Sequence, residues 1–388
     1  MRAFLSRAVS ALLLLAAFPL AQAGVDAAPP DTAARNAIAL EALSRLKGMD
    51  LDANPAVKAA VGRVLDQVRG TAAFVEIVSD FELKDQGAAL LDFALANPAQ
   101  AAGVEAARLL LKQGDAPLLA AALAGSKAAA AAEVLGHTGD KRTVPLLRPI
   151  AAGLERDFPV RKHAVEGLAR TQEGAAALLE LAQQGKLAGE LKAVASVELN
   201  MVRWPALKAE AARVLPLEHA GPAEAAPAIP ELAAQRGDAH RGAGVFGRET
   251  VGCFKCHQVN GKGTDFGPNL SEIGTKLARE ALFTAILEPS AGISLGYEAW
   301  QLELRNGDDP YGLIASETAD EVALKTQGGL VTRYKKADIV RRARQTVSIM
   351  PTGLHQAMTR QELVDLVEYL VSLNRADAPA SNAKSAHE

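Results

Sequence analysis

The chain's only two cysteines stand three positions apart and a histidine follows at once: Cys253-Phe254-Lys255-Cys256-His257. At this spacing each thiol can add to a vinyl group of one haem. The adjacent imidazole then lies under the iron as an axial ligand. Any fold around this motif must leave a slot for a flat macrocycle. A bare C-x-x-C also fits two other chemistries. A thioredoxin-like redox pair needs a βαβ surround, and no such pattern flanks the motif. A tetrahedral zinc site needs further Cys or His nearby, and no other cysteine exists. Two cysteines also exclude a disulfide framework. The expectation is one covalently attached haem c, held by Cys253, Cys256 and His257.

Composition narrows the rest. Lys+Arg number 42 against Asp+Glu 45, so the basic excess of a nucleic-acid binder is missing. Hydrophobic residues make up 49% and charged residues 22%, which argues against wholesale disorder. Only 4% are aromatic, so the apolar share is mostly Ala, Leu and Val. That balance favours packed helices over a β-sandwich.

The first residues read as an export signal. Arg2 and Arg7 precede a run from Ala8 to Leu20 that is apolar apart from Ser10, and Ala21-Gln22-Ala23 is a small-x-small cleavage site before Gly24. The run is shorter than the roughly 20 residues of a spanning helix. Segment 1–23 is therefore expected to be removed, placing the protein in the periplasm without a membrane span. Export raises the case for haem c independently, because covalent attachment takes place outside the bacterial cytoplasm.

Residues 33–217 read as helix after helix, with breaks at Gly114-Asp115, Gly136 to Asp140, Phe158-Pro159 and Gly185. Ala131-Ala132-Glu133-Val134-Leu135-Gly136 is echoed by Ala164-Val165-Glu166-Gly167-Leu168-Ala169 roughly 33 residues on, and again near Ala195-Ser196-Val197-Glu198-Leu199. Paired helices at that period predict an α-solenoid; an irregular Ala-rich bundle is the alternative. The stretch Asp157 to Leu168 resembles the second half of a HEAT-type repeat. Residues 218–230, with Pro222, Pro227 and Pro230, read as a semi-extended linker. The haem-bearing domain is expected over 231–375 and a disordered tail over 376–388.

Within 231–375, Asp238 to Phe246 reads as a helix before the motif, with Gly242 where a closing helix can approach. Lys276 to Leu287 reads as an amphipathic helix. Trp300, Leu302 and Leu304 then alternate, Asn306-Gly307 and Gly328-Gly329 are turns, and Leu313-Ile314, Val322-Ala323-Leu324 and Leu330-Val331 supply strands. A small antiparallel β-meander is thus inserted before a final helix, Thr359 to Leu373. A second axial ligand has three candidates: Met350, His355 and Met358. Met350 lies in Ser348-Ile349-Met350-Pro351-Thr352-Gly353-Leu354, where Pro351 and Gly353 favour a loop. Met358 reads as a residue at the helix entrance, and His355 is the alternative to Met350. Gly242-Ala243-Gly244-Val245-Phe246-Gly247 satisfies G-x-G-x-x-G, but no strand precedes it, so it is no dinucleotide fingerprint.

The helix before the motif resembles the N-terminal helix of class I cytochromes c, and Gly267-Pro268-Asn269-Leu270 matches their G-P-x-L loop. The resemblance implies that the Pro268 carbonyl receives the Nδ1–H of His257, that Leu270 packs on the haem face, and that Met350 is the sixth ligand. Those motifs, taken with Glu288-Pro289-Ser290-Ala291-Gly292-Ile293, Gly296-Tyr297-Glu298, Gly312-Leu313-Ile314 and Asp338-Ile339, resemble the PVC-type haem-binding domain, a cytochrome c variant with a β insert. That likeness spans about Asp238 to Asn374. It implies electron acceptance from a periplasmic dehydrogenase, often one acting on sugars or alcohols, with the helical region as a docking scaffold.

The expected fold is therefore mainly α: a HEAT-like solenoid, then a cytochrome c-like helical haem domain with a β insert. The expected role is electron transfer by an exported monohaem cytochrome, not enzymatic catalysis. A haem-based sensor or a peroxidase-like enzyme, each with a labile sixth position, is the alternative. Arg333, Lys335, Lys336, Arg341, Arg342 and Arg344 form a basic stretch with three open readings: a docking face for an acidic partner, partners of the haem propionates, or a solvated face. Tyr297 and Trp300 read as strand core, and His137 and His163 as surface or cap residues of the helical region.

Overall fold

The computed structural model describes residues 32–217 and 228–374. The expected leader and tail, and residues 218–227 of the expected linker, lie outside them. The fold is mainly α, with many helices in the N-terminal part and small antiparallel sheets in the C-terminal part. Packing divides the chain after Val68, inside the helical region rather than at the Pro-rich segment. The first unit holds α1 (Thr32–Ser44) and α2 (Pro55–Gln67), which pack on each other.

The second unit begins with ten helices: α3 (Ala72–Asp80), α4 (Gly87–Ala96), α5 (Ala101–Gln113), α6 (Ala116–Ala124), α7 (Ala128–Thr138), α8 (Val144–Ala152), α9 (Phe158–Leu168), α10 (Gln172–Gln183), α11 (Gly189–Asn200) and α12 (Pro205–Val214). Prolines in the first turns of α6, α8, α9 and α12 start helices where a missing N–H costs nothing. Helices α5, α7, α9 and α11 pack side by side, while α8, α10 and α12 form a second layer. The echoed segments at 131, 164 and 195 fall on α7, α9 and α11. Their alanines Ala131, Ala132, Ala164 and Ala195 are buried, so small side chains set the close spacing of that layer.

The same unit continues with α13 (Ile229–Ala233), α14 (Ala239–Phe246), the short pair β1 (Gln258–Val259) and β2 (Lys262–Gly263), α15 (Ile273–Lys276), α16 (Arg279–Leu287) and α17 (Arg360–Ser372). The single helix expected over Lys276 to Leu287 is interrupted, because Leu277 is extended and splits α15 from α16. Helix α17 opens with a capping box: the Thr359 side chain accepts from the Glu362 N–H and the Glu362 side chain from the Thr359 N–H. Val245, Phe246, Phe283, Ile286, Val364 and Val367 are among the residues of the core between α14, α16 and α17.

Helices α14 and α17 meet at Gly242. A Cβ there would strike the Asp365 carbonyl and come within 2.8 Å of Tyr369 Cβ. Asp365, 2% exposed, accepts from Arg241 Nε at 2.7 Å, the Asp238 N–H at 2.8 Å and Gln361 Nε2 at 2.9 Å. The Arg241 bond first, then the others, hold its carboxyl down at about 2.

Five strands, β3 (Ala299–Leu304), β4 (Tyr311–Glu317), β5 (Glu321–Lys325), β6 (Val331–Lys335) and β7 (Ile339–Arg344), form an antiparallel sheet in the order β6-β5-β4-β3-β7. Trp300, Leu302 and Leu304 share one face with Val322 and Leu324, as their alternation predicts. Strand β7 is a correction to the expected meander, since the basic side chains of 339–344 hide its alternation. Flat, the sheet would hold its edges about 19 Å apart. The chain from Lys335 to Ile339 reaches about 14 Å at most, so the sheet must curl. Register shifts at Glu303/Leu304 and Ile314/Ser316 supply the bends.

Two outcomes test this packing. Gly242→Ala should cost about 1–3 kcal/mol of stability through overpacking, read by denaturant unfolding; an unchanged midpoint and slope would reject the close approach. A carboxyl held below its ordinary 3.8 stabilises the fold above that pH and loses this contribution as pH falls through about 2. Asp365→Asn should therefore destabilise strongly at pH 7 and little at pH 2. Equal losses at both would count against the assignment.

Candidate functional site

The motif follows α14 through a tight turn. Gly252 is left-handed, Cys253–Lys255 form one 3-10 turn, and the His257 N–H donates to the Cys253 carbonyl at 2.9 Å. This turn sets Cys253 against the helical core and Cys256 toward a neighbouring cavity. Neither thiol is in a disulfide. Burial pushes Cys253 up to about 12 and Cys256 up to about 11. A thioredoxin-like pair requires the opposite, a thiolate favoured near neutral pH. Among the described residues no group of three or more His, Cys, Asp or Glu is placed to hold a metal ion, so the zinc alternative lacks its further ligands.

His257 Nδ1 lies 2.8 Å from the Pro268 carbonyl. A carbonyl only accepts, so the ring proton sits on Nδ1 and the Nε2 lone pair is left free. Burial pushes the imidazole's pKa down, and the bond to Pro268 opposes that shift. The ring is thus a neutral, oriented nitrogen donor. The loop that supplies Pro268 is stitched to the motif: the Gly267 and Phe266 N–H groups donate to the Cys256 carbonyl at 2.6 and 3.2 Å, and the Leu270 N–H to Gln258 at 2.9 Å. Gly267 lies flat under the ring, where a Cβ would come 2.7 Å from His257 Cε1. Leu270, Cys253, Phe254 and Met350 pack partly buried against the same core.

Met350 and Cys256 line one cavity of 810 Å³. The Met350 N–H donates to Ser348 Oγ at 3.2 Å. His355 sits on the following 3-10 turn with its Nδ1 buried and without a partner, and does not line this cavity. Met358 is buried in the core at 5% exposure. Of the three candidate sixth ligands, the cavity brings Met350 alone together with Cys256. Met350 and Cys256 face this space, while Cys253 and the neutral imidazole of His257 belong to the same short motif without lining it; a thioether, an imidazole and two thiols are together the donor set that holds a haem.

Sequence reasoning missed one wall of the cavity. His137 and Arg170 of the helical region line it beside Phe266 and Tyr334. The expectation that His137 is a surface or cap residue is corrected. It is half-buried, its Nδ1 is buried without a partner, and burial with the nearby Arg170 charge pushes its pKa down to about 4. Arg170 donates to the Gln327 carbonyl at 2.8 Å. No signal near residue 253 points to side chains so distant in sequence. His163 pairs with Glu166 at 3.0 Å.

Four of the six basic residues are ion-paired, on three carboxylates. Arg341 pairs with Glu303, Lys336 and Arg342 both with Glu317, and Arg333 lies 3.8 Å from Glu76. Arg342 also sits 4.7 Å over the Trp300 ring. Of these, only the Arg341–Glu303 pair lies directly across neighbouring strands. Tyr297 is partly buried just before β3, and neither Tyr297 nor Trp300 lines the cavity.

Residues 239–324 match the Cytochrome c family. The match covers Cys253, Cys256, His257, Pro268 and Leu270 and stops before Met350. No curated protein matches the chain. The C-terminal part thus carries a cytochrome c domain, the mark of a haem-based electron-transfer protein. No helix among the described residues is long and apolar enough to cross a membrane.

The Gly267 contact is testable. Gly267→Ala should tilt the imidazole and break its bond to Pro268. The low-spin fraction in the haem absorption spectrum should fall severalfold, and an unaltered spectrum would contradict the close contact.

Proposed function

We propose that this chain is an exported monohaem c-type cytochrome that passes single electrons. The observation that carries this reading is the His257–Pro268 bond at 2.8 Å beside a cavity shared by Cys256 and Met350. In this reading Cys253 and Cys256 would form the thioethers, and His257 Nε2 and Met350 Sδ would hold the iron. The haem supplies a reversible Fe(III)/Fe(II) couple. The protein's part is to orient both ligands and to keep water from the iron. The Pro268 carbonyl holds the ring in the ligating tautomer, and the Met350 thioether would favour the reduced metal and so raise the potential.

The leader-like residues 1–23 support export to the periplasm. The resemblance to PVC-type haem-binding domains supports a periplasmic dehydrogenase of the sugar or alcohol class as donor. The two-layer order of α7 to α12 supports HEAT-like repeats, which would make the helical region a scaffold for that partner.

Purified protein should carry one haem that survives denaturation, read by mass and by the pyridine haemochrome spectrum. Cys253→Ser or Cys256→Ser should leave at most a single thioether. Met350→Ala should abolish the Met–Fe(III) charge-transfer band; its persistence would sink the distal assignment. The ferrous protein should resist CO. Ready CO binding would favour the sensor or peroxidase-like alternative, both of which need an exchangeable sixth position.

A further inference from the structure

We propose that helices α11 and α12 clamp both loops that carry the iron ligands, and that Lys208 is the positioning residue for Met350. The inference rests on the reading of Met350 as the distal ligand. Lys208, on α12, donates from Nζ to the Thr352 carbonyl at 2.7 Å and lies 3.3 Å from Thr352 Oγ1. Thr352 stands two residues beyond Met350. Lys208 has no carboxylate within ion-pair distance among the described residues, so its charge is turned to this loop. Partial burial pushes its pKa down, the mark of an ammonium drawn out of water.

The other loop is tied to the neighbouring helix. Lys255, between the two cysteines, reaches Glu198 of α11 at 3.0 Å, and that carboxylate is only 6% exposed. Leu217, just past α12, packs against the core that also receives Cys253, Leu270 and Met350. Met201, Lys208 and Leu217 line a narrow seam with Thr250, Thr352 and Leu354. One helix pair thus grips the motif loop through Glu198 and the methionine loop through Lys208. An incoming ligand can replace Met350 only if its loop swings away. That motion breaks a charge-assisted hydrogen bond between the half-buried Lys208 and the exposed Thr352. The helical region, on this account, sets how firmly the sixth position is closed.

The test uses the full chain with haem attached. Imidazole is titrated into the ferric protein while the Met–Fe(III) charge-transfer band is followed. Lys208→Met should raise imidazole affinity roughly three- to tenfold, the scale of one lost hydrogen bond near the surface. Lys208→Gln keeps a neutral donor and should fall between, and Lys208→Arg should restore wild-type behaviour. Wild-type affinity in both Lys208→Met and Lys208→Gln, with the band intact, would overturn the clamp and leave the ligand assignment standing. No such band in the unmutated protein would overturn the ligand assignment, and the clamp with it.

Discussion

The hydrogen bond from His257 Nδ1–H to the Pro268 carbonyl organises the site. It decides which ring nitrogen carries the proton and which is left to bind a metal. It forms only because the 266–270 loop is held to the motif by backbone bonds to Cys256 and Gln258, and because Gly267 has no side chain to push the ring aside. The rest of the domain serves that geometry. The contact of α14 with α17 at Gly242, locked by Arg241 and Asp365, fixes the helices that flank the motif loop and the methionine loop. A shift of that crossing would move the imidazole and the methionine loop relative to each other.

The helical region is part of this arrangement. It reaches the motif loop through Glu198, the methionine loop through Lys208, and the curled sheet through Arg170 and Arg203. It also closes one side of the cavity. A redox partner that docks on these helices would therefore press on the wall of the site itself. The sheet contributes Tyr334 and Gln327 to the same wall, which gives the β insert a role in shaping the cavity beyond its own small core.

Electrostatics follow the same division of labour. The carboxylates and cations of β3, β4 and β7 mostly cancel one another locally. The cavity, by contrast, receives Arg170 and Lys208, which have only neutral oxygens as hydrogen-bond acceptors. Carboxylates line the same cavity, among them Glu105, Asp140, Asp308 and Asp338, so these two cations stand in a wall of mixed charge.

Much of this was legible in the amino-acid order alone, because the signals are local. Cys253, Cys256 and His257 share one turn, so their spacing carries their chemistry. Gly267-Pro268 lies close enough in the chain to be read with them. The capped start of α17, the alternation of Trp300, Leu302 and Leu304, and the echoes on α7, α9 and α11 are periodic patterns that backbone geometry imposes on any sequence. Strand β7 stayed hidden because arginines mask its alternation, and it is defined only by pairing with β3. The break at Leu277 leaves an exposed, extended residue between α15 and α16 that the apolar periodicity does not mark. His137, Arg170, Glu198 and Lys208 could not be connected to the site in advance. Nothing in their own neighbourhoods differs from an ordinary helix surface, and what gives them meaning is the docking of two regions far apart in sequence. Local chemistry determined what kind of group this protein can hold. Tertiary packing decided what surrounds it, because burial and long-range contacts are properties of the folded chain alone.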